Sequence, residues 1–88
     1  MNVGDRIYYT GDRANGSSTG TIINYRQPSE YVPESVDVQY DEERFEGDTK
    51  FSKMIPISGF TPGPGRRFWL LDEWESEKKK KLQQMLNQ

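Results

Sequence analysis

The chain has 88 residues, 12 of them Lys or Arg and 14 Asp or Glu, for a formal net charge of −2; this length predicts one small domain rather than two. It contains neither His nor Cys, which excludes Ser-His-Asp and Cys-His nucleophilic chemistry, disulfides and zinc sites of the usual ligand type. Leu, Ile, Val and Phe number 17, just under the roughly 20% that, with high net charge, marks a disordered chain. The net charge here is small, so a folded but thin core is expected, with 11 aromatic residues supplying much of its buried area. No run approaches the roughly 18 consecutive apolar residues of a membrane span, and residues 1–6 lack the apolar run of a secretory signal. The expected setting is cytoplasmic, with no membrane partner.

Residues 1–58 read as short strands. Val3, Ile7 and Tyr9 share one parity, as a first strand would give. Residues 11–20 are rich in Gly, Asp, Asn and Ser and predict a loop. The β-branched run 21–25 predicts a second strand, ended by Pro28, and 28–35 a second loop. Val36, Val38 and Tyr40 alternate with Asp37, Gln39 and Asp41, the pattern of a strand with one wet face. Residues 44–51, around Gly47 and Asp48, suggest a fourth strand or hairpin edge, 52–54 a tight turn, and 55–57 a last short strand at an edge.

Residues 59–65 hold two Pro and three Gly and predict a linker. Beyond it the period changes. At about 100° per residue from Leu71, the side chains of Trp74, Lys78, Leu82, Met85 and Leu86 fall within about 60° of one line, a single stripe on a helix over about 72–87. Asp72 and Glu75 are spaced as an N-cap and its N3 partner. Acids at 73, 75 and 77 followed by lysines at 78–81 suit the helix dipole, and Glu75 with Lys79 and Glu77 with Lys81 are spaced as favourable ion pairs. Residues 68–71 fit either a helical start or an extended approach. The resulting division is a barrel over 1–58, a Gly/Pro linker and aromatic segment over 59–71, and a helix over 72–88.

The run Gly4-Asp5-Arg6-Ile7, a loop closed by Gly11, and then Gly20-Thr21-Ile22 resembles the KOW-type opening of SH3-like barrels. Residues 36–41 and 51–57 look like the third strand and closing turn and strand of the same fold. The resemblance spans about residues 3–58 and implies a mainly β, five-stranded SH3-like barrel followed by a C-terminal α-helix. Barrels of this kind bind nucleic acid, bind protein segments or serve as structural subunits. Nucleic-acid-binding members usually carry basic residues in and near the first loop; here that loop has Arg13 beside Asp12, so the RNA role does not carry across.

Four features bear on function. Residues 30–48 hold eight acids and one base, Arg44, a sign opposite to that of a nucleic-acid surface; the segment reads as a patch for a basic partner or as a solvated strand edge that discourages aggregation. Arg66, Arg67, Phe68 and Trp69 follow a Gly-Pro-Gly turn, and could contact an anion or stack nucleic acid, or could simply plug the open end of the barrel. On the helix, Lys78 divides the stripe. Leu71 and Trp74 can reach the barrel, whereas Leu86 lies about 22 Å beyond Leu71 at about 1.5 Å per residue. The distal half therefore binds a partner, folds back or frays. Finally, Tyr8, Tyr25, Tyr31 and Tyr40 divide between core and surface, with Tyr8 and Tyr31 expected at the surface.

The reading is a non-enzymatic protein-interaction module that uses the acidic segment and the helix, with Leu82, Met85, Leu86, Trp74, Tyr8 and Tyr31 contacting another protein or a second copy of the chain. The alternative is a nucleic-acid-binding module using Arg66, Arg67, Phe68 and Trp69. Carboxylate-only enzymology is a third possibility for which no residue pair stands out. No catalytic residue, metal or cofactor is assigned.

Overall fold

The computed structural model describes residues 1–11, 16–41 and 52–87. Five antiparallel strands form a curled half-barrel, and one helix follows them. The strands are β1 (Arg6–Tyr9), β2 (Ser18–Arg26), β3 (Ser35–Tyr40), β4 (Ser52–Pro56) and β5 (Phe68–Leu70), and the helix is α1 (Leu71–Leu86). A single 3-10 turn over Ile57–Phe60 stands between β4 and β5. The sheet order is β4-β3-β2-β1-β5: a meander whose last strand returns to the first.

Alternation builds the core. Ile7 and Tyr9 of β1, Ile22 of β2, Val36, Val38 and Tyr40 of β3 and Ile55 of β4 face inward with Phe60, and Ile57, Phe68 and Leu70 pack against them. Aromatic rings carry much of this interior, as the apolar-poor composition requires. The Tyr9 ring lies 4.9 Å from that of Phe68 and 6.2 Å from that of Tyr40, and Phe60 lies 5.5 Å from Phe68. Among the described residues, the one wholly buried polar side chain, Ser35, is satisfied locally by donating its hydroxyl proton to the Pro33 carbonyl at 2.7 Å. Gly20 lets β2 and β3 close up, because a Cβ there would stand 2.8 Å from the Gln39 carbonyl oxygen and 2.9 Å from a Val38 methyl. The register shifts between Ile22 and Asn24. Ile22, opposite Val38, lies in the core, and Ile23, the residue the register skips, is exposed.

Several elements differ from the sequence expectation. Residues 52–54 belong to β4 rather than to a turn, and β4 takes in residues 55 and 56, which had been expected to open the closing strand. The closing strand is instead Phe68–Leu70, beyond the Gly/Pro segment, with Ile7 opposite Leu70 and Tyr9 opposite Phe68. Pairing with β1 gives Phe68 and Leu70 a core to enter, a gain that local periodicity does not show. The helix starts one residue earlier than expected. Leu70 occupies the cap position with extended dihedrals (φ −64°, ψ 140°) and no side-chain cap bond, so Asp72 lies in the first turn. The last sheet residue is thus also the last residue before the helix, and strand geometry sets the boundary. The expected fourth strand or hairpin edge at 44–51 lies outside the described residues.

Candidate functional site

The outer face of β1 and β5 is built from the residues that alternate away from the core. Tyr8 and Trp69 stand opposite each other across the two strands. The first turns of α1 lie on this face. The Trp74 ring stacks on Tyr8 at 4.5 Å with 15° between planes and meets Trp69 edge-on at 5.4 Å. Lys78 reaches over the outer side of Trp74, its ammonium 5.9 Å from the ring centre. Neither indole N–H has a hydrogen-bond partner, and both rings lie against other aromatic faces. Tyr8 and Trp74, both expected to meet a partner, therefore meet each other and are half-buried.

Arg66 clamps this junction. Its Nη2 lies 2.6 Å from Glu73 Oε1, its Nε donates to the Phe68 carbonyl at 2.9 Å, and its guanidinium carbon sits 3.7 Å from the Trp69 ring centre. Only 5% of the side chain is exposed. Of the four residues offered for anion or nucleic-acid contact, then, Arg66 is occupied, Phe68 packs on the core and Trp69 is half-covered. Arg67 is exposed, and its backbone carbonyl accepts from Thr10 N at 2.9 Å. Glu73 was missed as a site residue. It lies seven positions after Arg66, and no local pattern links a pre-strand arginine to a helical acid.

The acidic middle is partly neutralised by the sheet. Arg6 donates to both carboxylate oxygens of Asp41, through Nη1 at 2.8 Å and through Nη2, and also to Thr21 Oγ1 at 2.7 Å. Arg26 Nε lies 3.0 Å from Asp37 Oδ1, and Asn24 Nδ2 donates to Asp37 Oδ2 at 3.2 Å. These donors hold the Asp37 carboxyl below its ordinary range, Arg26 foremost, and Asp37 in turn raises Arg26. Asp41 likewise raises Arg6. Tyr25, half-exposed, donates its phenol proton to Glu34, which raises the phenol above its ordinary value. Tyr40, another of the four surface tyrosine candidates, is core. Tyr31 is 87% exposed in the loop between β2 and β3. The acids at 42, 43, 46 and 48 lie outside the described residues. Among the described residues, no group of three or more acidic side chains could hold a metal ion, and no helix is long and apolar enough to cross a membrane.

The distal half of α1 differs from all of this. Leu82, Met85 and Leu86 are 59%, 72% and 76% exposed, and every described residue from 78 to 87 is exposed. Reach is one reason, since the β5 platform is three residues long. Angle is the other. The helix residues that are half-buried are Leu71, Glu73, Trp74 and Glu77, which centre about 85° to one side of Leu71 on the helical wheel. The same side continues with Lys81 and Gln84. Leu82, Met85 and Leu86 centre within about 15° of Leu71 on the wheel, about 100° away from the sheet-facing side. A longer sheet would meet Lys81, Gln84 and Met85, which lie within about 55° of that direction, and would still leave Leu82 and Leu86 more than about 100° away from it.

Two grooves flank these elements. One, of about 530 Å³, lies at the start of α1 and is lined by Gly4, Asp5, Arg6, Leu70, Leu71, Asp72 and Glu73. A smaller one of about 230 Å³ lies on the outer face of the sheet between Ile23, Arg26, Asp37, Lys53 and Met54. No protein-family model matches the chain, and no curated protein or solved structure does either.

Proposed function

We propose that this chain is a non-enzymatic protein-interaction module, an SH3-like small barrel that carries its docking element on the C-terminal helix. One observation carries the reading: Leu82, Met85 and Leu86 form an exposed apolar face, with Leu82 and Leu86 turned away from the side by which α1 lies on its own sheet. Scattered exposed apolar residues are normal, but three on one helical face are the usual anchor pattern of helix-in-groove recognition. Isolated helices of this length are marginal in water, so a partner would also stabilise the distal turns. Tyr31, with Glu30 beside it, is the second contact region of the reading. A cytoplasmic setting belongs to it as well, on the sequence argument alone.

The nucleic-acid alternative gains nothing from the geometry, because Arg66 is spent on Glu73, Trp69 and a backbone carbonyl. Salt-dependent RNA and DNA shift assays with the full chain would revive it if affinity fell steeply with added salt.

The direct test of the module is truncation after Glu77. The residues that join α1 to the sheet all lie before the cut, so the truncated chain is expected to keep its near-ultraviolet circular dichroism and to lose binding partners or self-association. Unchanged solution mass and unchanged partners would remove the helix from the function.

A further inference from the structure

The distal half of α1 differs from the rest of the chain in charge as well as in exposure, and we propose that it is a reversible docking element for an anionic lipid surface. The inference goes beyond the interaction-module reading, because a lipid surface is a different kind of partner for the same helix. In a chain of net charge −2, residues 78–88 hold four lysines and no acid. Every described residue among them is exposed. Lys80 lies 3.9 Å from Glu77, but no described carboxylate pairs with Lys79 or Lys81, although Glu75 and Glu77 stand four residues before them. The helix does not neutralise these lysines with its own acids.

Position on the helical wheel decides what kind of anion these lysines suit. Leu82, Met85 and Leu86 span about 100°, and Lys79 and Lys81 lie about 20° and about 40° beyond the two edges of that arc. Lysines so placed can lay their stems beside the apolar face and keep their ammonium groups among lipid headgroups. Gln83, Gln84, Asn87 and Lys80 take the back of the helix. A protein groove would meet only the lysines on its rims. A charged plane attracts all four, because its field reaches about one Debye length, roughly 8–10 Å. A cluster of this size on an amphipathic helix is the pattern of anionic-lipid recognition. A nucleic-acid backbone also attracts lysines, but it gives the three apolar side chains nothing to enter. No described helix is long and apolar enough to cross a membrane, and that lack of a span, the ground for expecting no membrane partner, bears on crossing alone. An interfacial helix enters only about 5–10 Å into the headgroup boundary. The acids of α1 all precede the lysines and are repelled by the same surface, so the helix meets it by its C-terminal end. Lys78, inside the arc but one turn before Leu82, holds its ammonium over Trp74 and marks where the docked part begins.

Co-sedimentation of the full chain with vesicles tests this. Phosphatidylcholine vesicles with about 30% phosphatidylserine should carry the chain down at low ionic strength, and phosphatidylcholine alone should not. Raising NaCl to about 0.5 M, where the screening length falls below about 5 Å, should release it. Lys79→Gln with Lys81→Gln should weaken binding by on the order of tenfold or more. Leu82→Gln with Leu86→Gln keeps the charge and should abolish binding. Both double variants should keep the near-ultraviolet spectrum of the wild type, since none of these residues belongs to the core. The chain has no cysteine, so Leu86→Cys gives a single labelling site, and an environment-sensitive fluorophore there should shift to the blue on phosphatidylserine vesicles. No binding to those vesicles at low ionic strength overturns the inference. Binding that Leu82→Gln with Leu86→Gln leaves unchanged overturns it too, because the attraction is then one of charge alone. A chain that ignores vesicles but loses a defined protein partner on truncation after Glu77 sinks the lipid contact and leaves the module standing. A chain that binds vesicles through Leu82 and Leu86 and loses no protein partner on truncation keeps the lipid contact and sinks the module.

Discussion

The sheet interior and the distal half of α1 are built from the same kinds of residue and end in opposite states. In the interior, Ile7, Val36 and Val38 are wholly buried, and each lies on a strand paired on both sides. On the distal helix, Leu82, Met85 and Leu86 keep most of their surface in water. A leucine has no state of its own here. What differs is whether the chain brings a second surface to it, and the half-barrel is spent covering its inner face and one small aromatic patch outside. The interior is therefore where stability resides, and the distal helix is where apolar surface stays in water.

Substitutions can break that contrast from either side. Ile7→Ala should have the largest effect, about 2–5 kcal/mol of stability lost by chemical denaturation, because Ile7 is fully enclosed and pairs with both β2 and β5. Gly20→Ala should cost about 1–3 kcal/mol in the same experiment, since its methyl would press on the β3 backbone at 2.8 Å; wild-type stability there would mean that the strands part easily. Arg66→Ala tests the junction between the two regions. It should cost about 1–2 kcal/mol and shift the near-ultraviolet signal of Trp69 and Trp74, because it removes the Glu73 pair and the cover over Trp69.

Smaller effects should follow pH. The Asp37 carboxyl is held low by Arg26. It therefore contributes stability that is present above the ordinary carboxylate range, near pH 4, and lost as pH falls through its lowered value. Asp37→Asn should flatten the acid limb of a stability profile. Tyr25 is raised by Glu34, so its contribution is complete below the ordinary phenol value, near pH 10, and is lost as pH rises past its raised one. Tyr25→Phe should flatten the alkaline limb. The smallest expected change is that of Leu82→Ala in dilute protein, within about 0.5 kcal/mol. A core-sized loss there would show that the distal helix packs on its own sheet and would erase the contrast.

The alternation of Val36, Val38 and Tyr40 with Asp37, Gln39 and Asp41, and the helical stripe from Leu71 to Leu86, were legible because each is a local period and needs no knowledge of the rest of the chain. The same local evidence placed the closing strand at 55–57 and passed over Phe68–Leu70. Three residues beside a Gly/Pro segment carry no period, and their strand exists because β1, about 60 residues earlier, presents an unpaired edge. Tyr8 shows the same gap at the level of a single side chain. Its position in β1 put it on the outer face, but only the return of α1 decided that Trp74 would cover that face. Arg66 beside two aromatics read as a possible anion contact, and Glu73 turned it into a clamp.

Composition by itself settled that these 88 residues hold no histidine or cysteine, and periodicity settled that strands come first and a helix last. Neither could say which outward face stays bare, because a period tells which side chains share a face and not what lies against it. Coverage depends on pairings between distant segments, on a β5 only three residues long and on the roughly 100° between the sheet-facing side of α1 and its apolar end. The tertiary structure made those choices, and they leave Leu82, Met85 and Leu86 in water.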